Sequence, residues 1–255
     1  MRSATAASES SPGLGVVFDN AEKRFGSLVA LRRFSLEFSP GEFVVLVGPN
    51  GSGKTTLLRM AALLSRPSAG QVRVKNDDGA TGAAIKSHIG VVGHSTMLYD
   101  ELTAGENLRF FARLYNLRDA AQRAAEALEP AGLASRTGDL VRTFSRGMRQ
   151  RLAIARALLA SPLLLLLDEP AAGLDREGVG WLASTLAELK SRGATIVMSL
   201  HGQSEIGALA TRAIAIHAGS IFADSKVEGT AQSVIELEAG ISSPVQPNEA
   251  KRNLA

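Results

Sequence analysis

A chain of 255 residues, 45% of them hydrophobic, can bury a substantial core in one large or two small domains. Its net charge of +3 comes from basic residues scattered among acidic ones, the pattern of a solvated surface rather than a nucleic-acid-binding face. The absence of cysteine excludes disulfides, thiolate metal sites and a cysteine nucleophile, and no run reaches the ~18 apolar residues of a membrane span.

Residues 1–14 are rich in Ser and Ala without the apolar centre of a signal peptide, and read as a disordered lead-in. A strand is expected from 16–18, and 34–38 alternates apolar with polar as a half-exposed strand should. Ser39-Pro40-Gly41-Glu42 makes a turn into the apolar run Phe43–Val47, a buried strand.

That strand runs into Gly48-Pro49-Asn50-Gly51-Ser52-Gly53-Lys54-Thr55-Thr56, which fits G-x-x-x-x-G-K-[ST]. Leu57, Leu58, Ala61, Ala62 and Leu64 follow at helical spacing, so the motif has the strand and helix it needs. Its glycines let backbone N–H groups close around phosphate oxygens at a helix N-terminus that already favours anions. Lys54 would reach the β- and γ-phosphates of a nucleotide, and Thr55 would hold Mg²⁺.

Further on, 71–74 reads as a short strand, 76–82 as a loop, and 89–92 as a buried strand ending at Gly93-His94. From 103 to 160 the pattern is helical. Leu108, Phe111, Leu114 and Tyr115 are expected on one helix face, with further helices over 121–128 and 146–159. Strand signals return at 163–167, 195–200, 212–216 and 220–223. Strands alternating with helices imply an α/β fold with a largely parallel sheet, interrupted by a helical insertion. The tail from 225 to 255 has room for a short helix, and its final segment of Ser, Pro, Asn and charge reads as disordered.

The run 163–167 ends in Asp168-Glu169. Ligands sit at the C-terminal ends of parallel strands, so Asp168 should emerge beside the glycine loop and bind Mg²⁺ directly or through water. Glu169 can then polarise the attacking water as a general base.

Phe144-Ser145-Arg146-Gly147-Met148, with the helix after it, resembles the L-S-G-G-Q signature of ATP-binding-cassette (ABC) ATPases. Asp168-Glu169-Pro170 and Gly173-Leu174-Asp175 resemble that family's Walker B and D-loop. His201 matches its switch histidine, and Phe25, followed by Gly26, stands where the family stacks an aromatic on adenine. The resemblance covers about 16–223, with the motifs in the family's order. It implies a P-loop ATPase domain over 15–224, with an N-terminal antiparallel β subdomain and a helical subdomain over about 100–160.

It also implies a dimer of two copies sandwiching two ATP molecules, with Ser145 and Gly147 binding the γ-phosphate held by the other copy. His201 would then read the γ-phosphate, and Asp175 would support the interface. The expected activity is Mg²⁺-dependent ATP hydrolysis powering separate integral permease subunits from the cytoplasmic face of a membrane, with no nucleic-acid partner. The permease is expected to dock around 94–106.

Arg146 and Met148 depart from the signature's glycine and glutamine. His94 stands where the family generally has a glutamine that touches Mg²⁺ and water and couples the site to the membrane partner, a job His94 is expected to take over. A neutral imidazole can accept one hydrogen bond in its place. The Gly93-His94 pair, residues 102–115 and Ser145-Arg146-Gly147-Met148 are similar to the haem exporter ATPase of cytochrome c maturation, from which Gly105 departs. The competing readings are another ABC exporter ATPase, for a drug or lipid, and a soluble non-transport ABC ATPase.

Overall fold

The computed structural model describes residues 13–75, 83–200 and 205–226. Strand β1 (Gly15–Phe25) and strand β2 (Leu28–Phe38) form an antiparallel hairpin about Gly26-Ser27. Both strands run well beyond the expected 16–18 and 34–38. Their added turns carry Glu22, Lys23, Arg24, Arg32 and Arg33, charges that hide a strand when only apolar alternation is read. Within 34–38 the expected alternation holds, with Leu36 and Phe38 buried and Ser35 and Glu37 exposed. The lead-in ends earlier than expected: Leu14 is buried, and its N–H donates to the Leu163 carbonyl. Residues 1–12, the expected loop at 76–82, His201 and 227–255 lie outside the described residues, and 225–226, expected in the tail, extend the last strand because they pair with 212–213.

Strand β3 (Phe43–Val47) is buried at every position and leads through the glycine loop into helix α1 (Lys54–Ala61). Strand β4 (Ala69–Lys75) pairs with the free edge of β1, completing a three-stranded antiparallel sheet of order β2-β1-β4. A short helix α2 (Ala83–Lys86) precedes strand β5 (Ile89–Val92). The helical insertion follows as α3 (Ala104–Leu114), α4 (Ala120–Leu128) and α5 (Arg146–Leu158). Strand β6 (Leu164–Asp168), helix α6 (Arg176–Ser191), strand β7 (Thr195–Ser199), strand β8 (Arg212–His217) and strand β9 (Ser220–Lys226) complete the described chain.

The large sheet has the order β5-β6-β7-β3-β8-β9, parallel except for β9. Strands β3, β6 and β7 are covered on both faces, which is why they read as continuous apolar runs. One face packs on the antiparallel sheet and α1 through Phe18, Phe38, Leu46, Leu57 and Leu166. The other packs on α5 and α6 through Phe43, Ile154, Leu165, Leu182 and Met198. A third cluster holds the insertion together around Leu108, Phe111, Leu128, Leu133 and Leu152.

Two local readings change. Leu114 is 63% exposed, because the inward face of α3 runs through Ala104, Leu108, Phe111 and Ala112. Helix α6 has no counterpart in the sequence reading; Gly178 and Gly180 dilute its helical pattern, and of its larger apolar side chains Leu182 and Leu186 are fully buried. Its start is fixed by Asp175, whose carboxylate accepts from the Gly178 N–H.

Candidate active site

The glycine loop links β3 to α1. Gly48 has φ 144, and a Cβ there would lie 2.1 Å from the Ile216 carbonyl oxygen, so only glycine lets the loop pass β8. The Lys54 side chain is buried beneath the loop, with Nζ donating to the Gly48 carbonyl at 2.7 Å and the Pro49 carbonyl at 3.1 Å. The Ser52 hydroxyl oxygen is buried without a hydrogen-bond partner, an unsatisfied group that a phosphate oxygen at the loop would pair. The Ser52 carbonyl accepts from Gly219 N–H, in the turn between β8 and β9, and the Gly219 carbonyl accepts from Arg32 N–H on β2. The loop is thereby pinned to both sheets.

Asp168 closes β6, but not directly beside β3, because β7 lies between them. Two hydroxyls bridge that gap. Thr55 Oγ1 donates to Asp168 Oδ2 at 2.7 Å, and Ser199 Oγ, at the end of β7, donates to Asp168 Oδ1 at 2.7 Å. Ser199 Oγ also accepts from Glu169 N–H at 2.9 Å. Glu169 has φ 50, so the chain turns sharply as it leaves β6. Buried Asp168 and partly exposed Glu169 thus face different surroundings from adjacent positions. Ser199 did not emerge from the sequence; its one signal is a buried serine closing an apolar strand just before His201.

Ser145 and Gly147 form a second group. Ser145 caps α5, its hydroxyl accepting from Met148 N–H at 3.2 Å. A Cβ on Gly147 would lie 2.8 Å from the Gly173 carbonyl oxygen, so α5 begins hard against the 173–175 segment. The exposed Arg146 side chain lies along Gly173, where a Cβ would meet its Cγ and Cδ at 2.9 Å. Asp175 is bound by Gly178 N–H and by Arg151 Nη2 at 2.7 Å, and these bonds, in that order, hold its carboxyl below the usual value.

His94 is exposed and lines a cavity of about 320 Å³ with Thr55 and Asp168, whose remaining wall includes Leu58, Leu64, Val91 and Met97. Phe25 ends β1 with its ring 54% exposed, and Lys23 Nζ lies 4.9 Å from the ring centroid. The structure therefore gathers Lys54, Thr55, Asp168, Glu169 and His94 at one end of the large sheet. Phe25 stands on the hairpin of the smaller sheet, and Ser145 and Asp175 stand together at the ends of α5 and α6.

A family model described as ABC transporter matches residues 31–172. The daunorubicin resistance ATP-binding protein DrrA3 of Streptomyces coeruleorubidus is 38% identical over 228 residues, covering 88% of this chain and 71% of that one. The ABC transporter ATP-binding protein NatA of Bacillus subtilis (strain 168) is 39% identical, over 82% of this chain and 85% of that one. Among solved structures, a dimeric post-hydrolysis state of the ATP-binding cassette MJ0796, bound to ADP and Pi, superposes with a TM-score of 0.75. It is 29% identical and covers 84% of this chain and all of that one.

Proposed function

The chain belongs to the ABC transporter family, and from its site geometry we propose that two copies of it hydrolyse ATP between them to drive a separate membrane permease. It is an ATP hydrolase of the ABC type. The observation that carries the assignment of roles is the Thr55–Asp168–Ser199–Glu169 hydrogen-bonded cluster at the mouth of the Lys54 loop.

Thr55 and Asp168 place a hydroxyl and a carboxylate 2.7 Å apart, an all-oxygen pair suited to a hard cation such as Mg²⁺. When bound there, Mg²⁺ would neutralise charge on the β- and γ-phosphates. Lys54 and the N–H groups of the loop from Gly48 to Thr56, Pro49 excepted, bind and orient the triphosphate. Glu169 orients the attacking water and takes its proton. Phe25 stacks on adenine with its ring face opposite Lys23. His94 takes the place of the coupling glutamine, and His201 senses the γ-phosphate. Ser145, Gly147 and Asp175 act across the dimer, each copy completing the other's site. The dimeric ADP- and Pi-bound cassette supports this arrangement.

Among the described residues no helix is long and apolar enough to cross a membrane. In this reading the chain attaches at the cytoplasmic face through the permease. Its docking surface is the exposed apolar set Met97, Tyr99, Phe110 and Leu114 beside His94, which suits an apolar cytoplasmic helix of the permease. For the cargo, haem rests on Gly93-His94 and Ser145-Arg146-Gly147-Met148, whereas the daunorubicin resistance relative favours a drug exporter. Sequencing the integral protein that co-purifies from detergent-solubilised membranes decides between them.

The assignment is tested with Glu169→Gln. It should bind Mg-ATP, lose hydrolysis by ~10²-fold or more, and elute as a dimer only with ATP. A monomer at saturating Mg-ATP would defeat the two-copy site.

A further inference from the structure

Helix α5 is shared by two cores. Ala153, Ile154 and Ala157 pack with the large sheet, whereas Leu152, Ala155 and, just past the helix end, Leu159 pack with the helical insertion. Arg156 lies on the same helix at this boundary and is 4% exposed. Its contacts are neutral. Nη2 donates to the Val91 carbonyl at 2.5 Å, and the guanidinium carbon lies 5.1 Å from the Phe111 ring centroid. Nε is buried without an acceptor, and burial holds the guanidinium below its usual pKa. A buried cation held this way is costlier than an apolar side chain of the same volume.

The two contacts belong to elements with different work. Val91 lies in β5, which ends just before Gly93 and His94. Phe111 packs edge-on against Phe110 at 5.3 Å and lies 6.2 Å from Tyr99, beneath the exposed aromatic surface.

We propose that Arg156 is a positioning residue that carries a displacement at the nucleotide end of β5 to Phe111 and the Tyr99–Phe110 surface. This rests on nucleotide and cation binding at Thr55, Asp168 and His94. A shift in the 91–94 backbone moves the carbonyl that anchors the guanidinium, and the guanidinium moves against the Phe111 ring. Arg156 does not touch nucleotide; it acts through the strand and the ring.

The chain carries its own reporter. Trp181 is the only tryptophan and packs against both the sheet core and the insertion core. Full-length wild type, Arg156→Met and Arg156→Lys would be titrated with Mg-ATP while Trp181 emission is followed. Nucleotide affinity and melting temperature would be measured on the same samples. In wild type, emission should change with ATP. Arg156→Met should melt no lower than wild type, because it removes a buried charge, and should bind ATP with unchanged affinity while losing most of the emission change. Arg156→Lys should recover part of it.

A wild-type emission change in Arg156→Met would overturn the proposal. So would a lowered melting temperature with the emission change intact, the mark of a purely structural residue. If Arg156→Met does not fold, Arg156→Lys decides. Normal ATP binding with a reduced change supports the coupling, and an undiminished change defeats it. Wild type that binds Mg-ATP with no emission change would overturn the coupling, and failure of wild type to bind Mg-ATP would overturn the nucleotide site beneath it as well.

Discussion

Ser199 donates to Asp168 Oδ1, and with that bond strand β7 enters a site whose named parts lie on the strands either side of it. The same hydroxyl accepts from Glu169 N–H, so one buried serine orients both the Asp168 carboxylate and the Glu169 peptide, the proposed cation ligand and the proposed base.

Ser199→Ala should therefore lower kcat about tenfold or more while leaving ATP affinity nearly unchanged. The lost bonds include one to a charged group, worth ~1.5–3 kcal/mol. Steady-state hydrolysis with a parallel nucleotide-binding titration checks this. An equal loss in affinity would show that Ser199 shapes the glycine loop instead.

Gly48→Ala brings a methyl against the Ile216 carbonyl, where backbone must give way. It should destabilise the fold by ~1–3 kcal/mol and abolish measurable ATP binding. Thermal melts with and without Mg-ATP will show a lowered midpoint that nucleotide no longer raises.

Arg146→Gly restores the family's residue but uncovers Gly173, between Glu169 and Asp175. The exposed position predicts a stability change within ~0.5 kcal/mol. Loss of the support it gives the 173–175 segment predicts an ATP-induced dimer weakened by about fivefold, or ~1 kcal/mol. Analytical ultracentrifugation in the Glu169→Gln background measures it.

Acid should loosen the cap of α6. The folded Asp175 carboxyl titrates below its usual 3.8, because Gly178 N–H and then Arg151 favour the carboxylate. Its stabilisation is complete above the unfolded value and is lost as pH falls through the folded one. Glu106, held low by the Thr103 backbone and side chain at the start of α3, acts in the same direction. Melts of wild type and Asp175→Asn between pH 3 and 6 should diverge above about pH 4 and converge in stronger acid.

Much of this site was legible because its chemistry is local. The glycine loop needs a buried strand before it and a helix after it, and both lie in adjacent sequence. Asp168 and Glu169 are announced by the apolar run they end, and Ser145 by its place ahead of a helix. Ser199 was not legible, since its importance depends on β7 inserting between β3 and β6, a matter of strand order that no spacing reports. Arg146 was visible as a departure, but its rest on Gly173 belongs to tertiary packing. Leu114 was misplaced because α3 has a second apolar side, with Phe110, turned outward.

The Gly219 peptide has a consequence for the order in which the protein is made. It receives Arg32 N–H from the first hairpin and gives its own N–H to the Ser52 carbonyl of the glycine loop. The loop is synthesised early, yet its backbone frame closes only after β8 and the turn beyond it have emerged and docked. A nascent chain halted before Gly219 would carry every residue of the loop motif without its finished cradle, so nucleotide could not act as an early folding template. ATP binding by ribosome-bound chains of increasing length should switch on after that turn has cleared the exit tunnel.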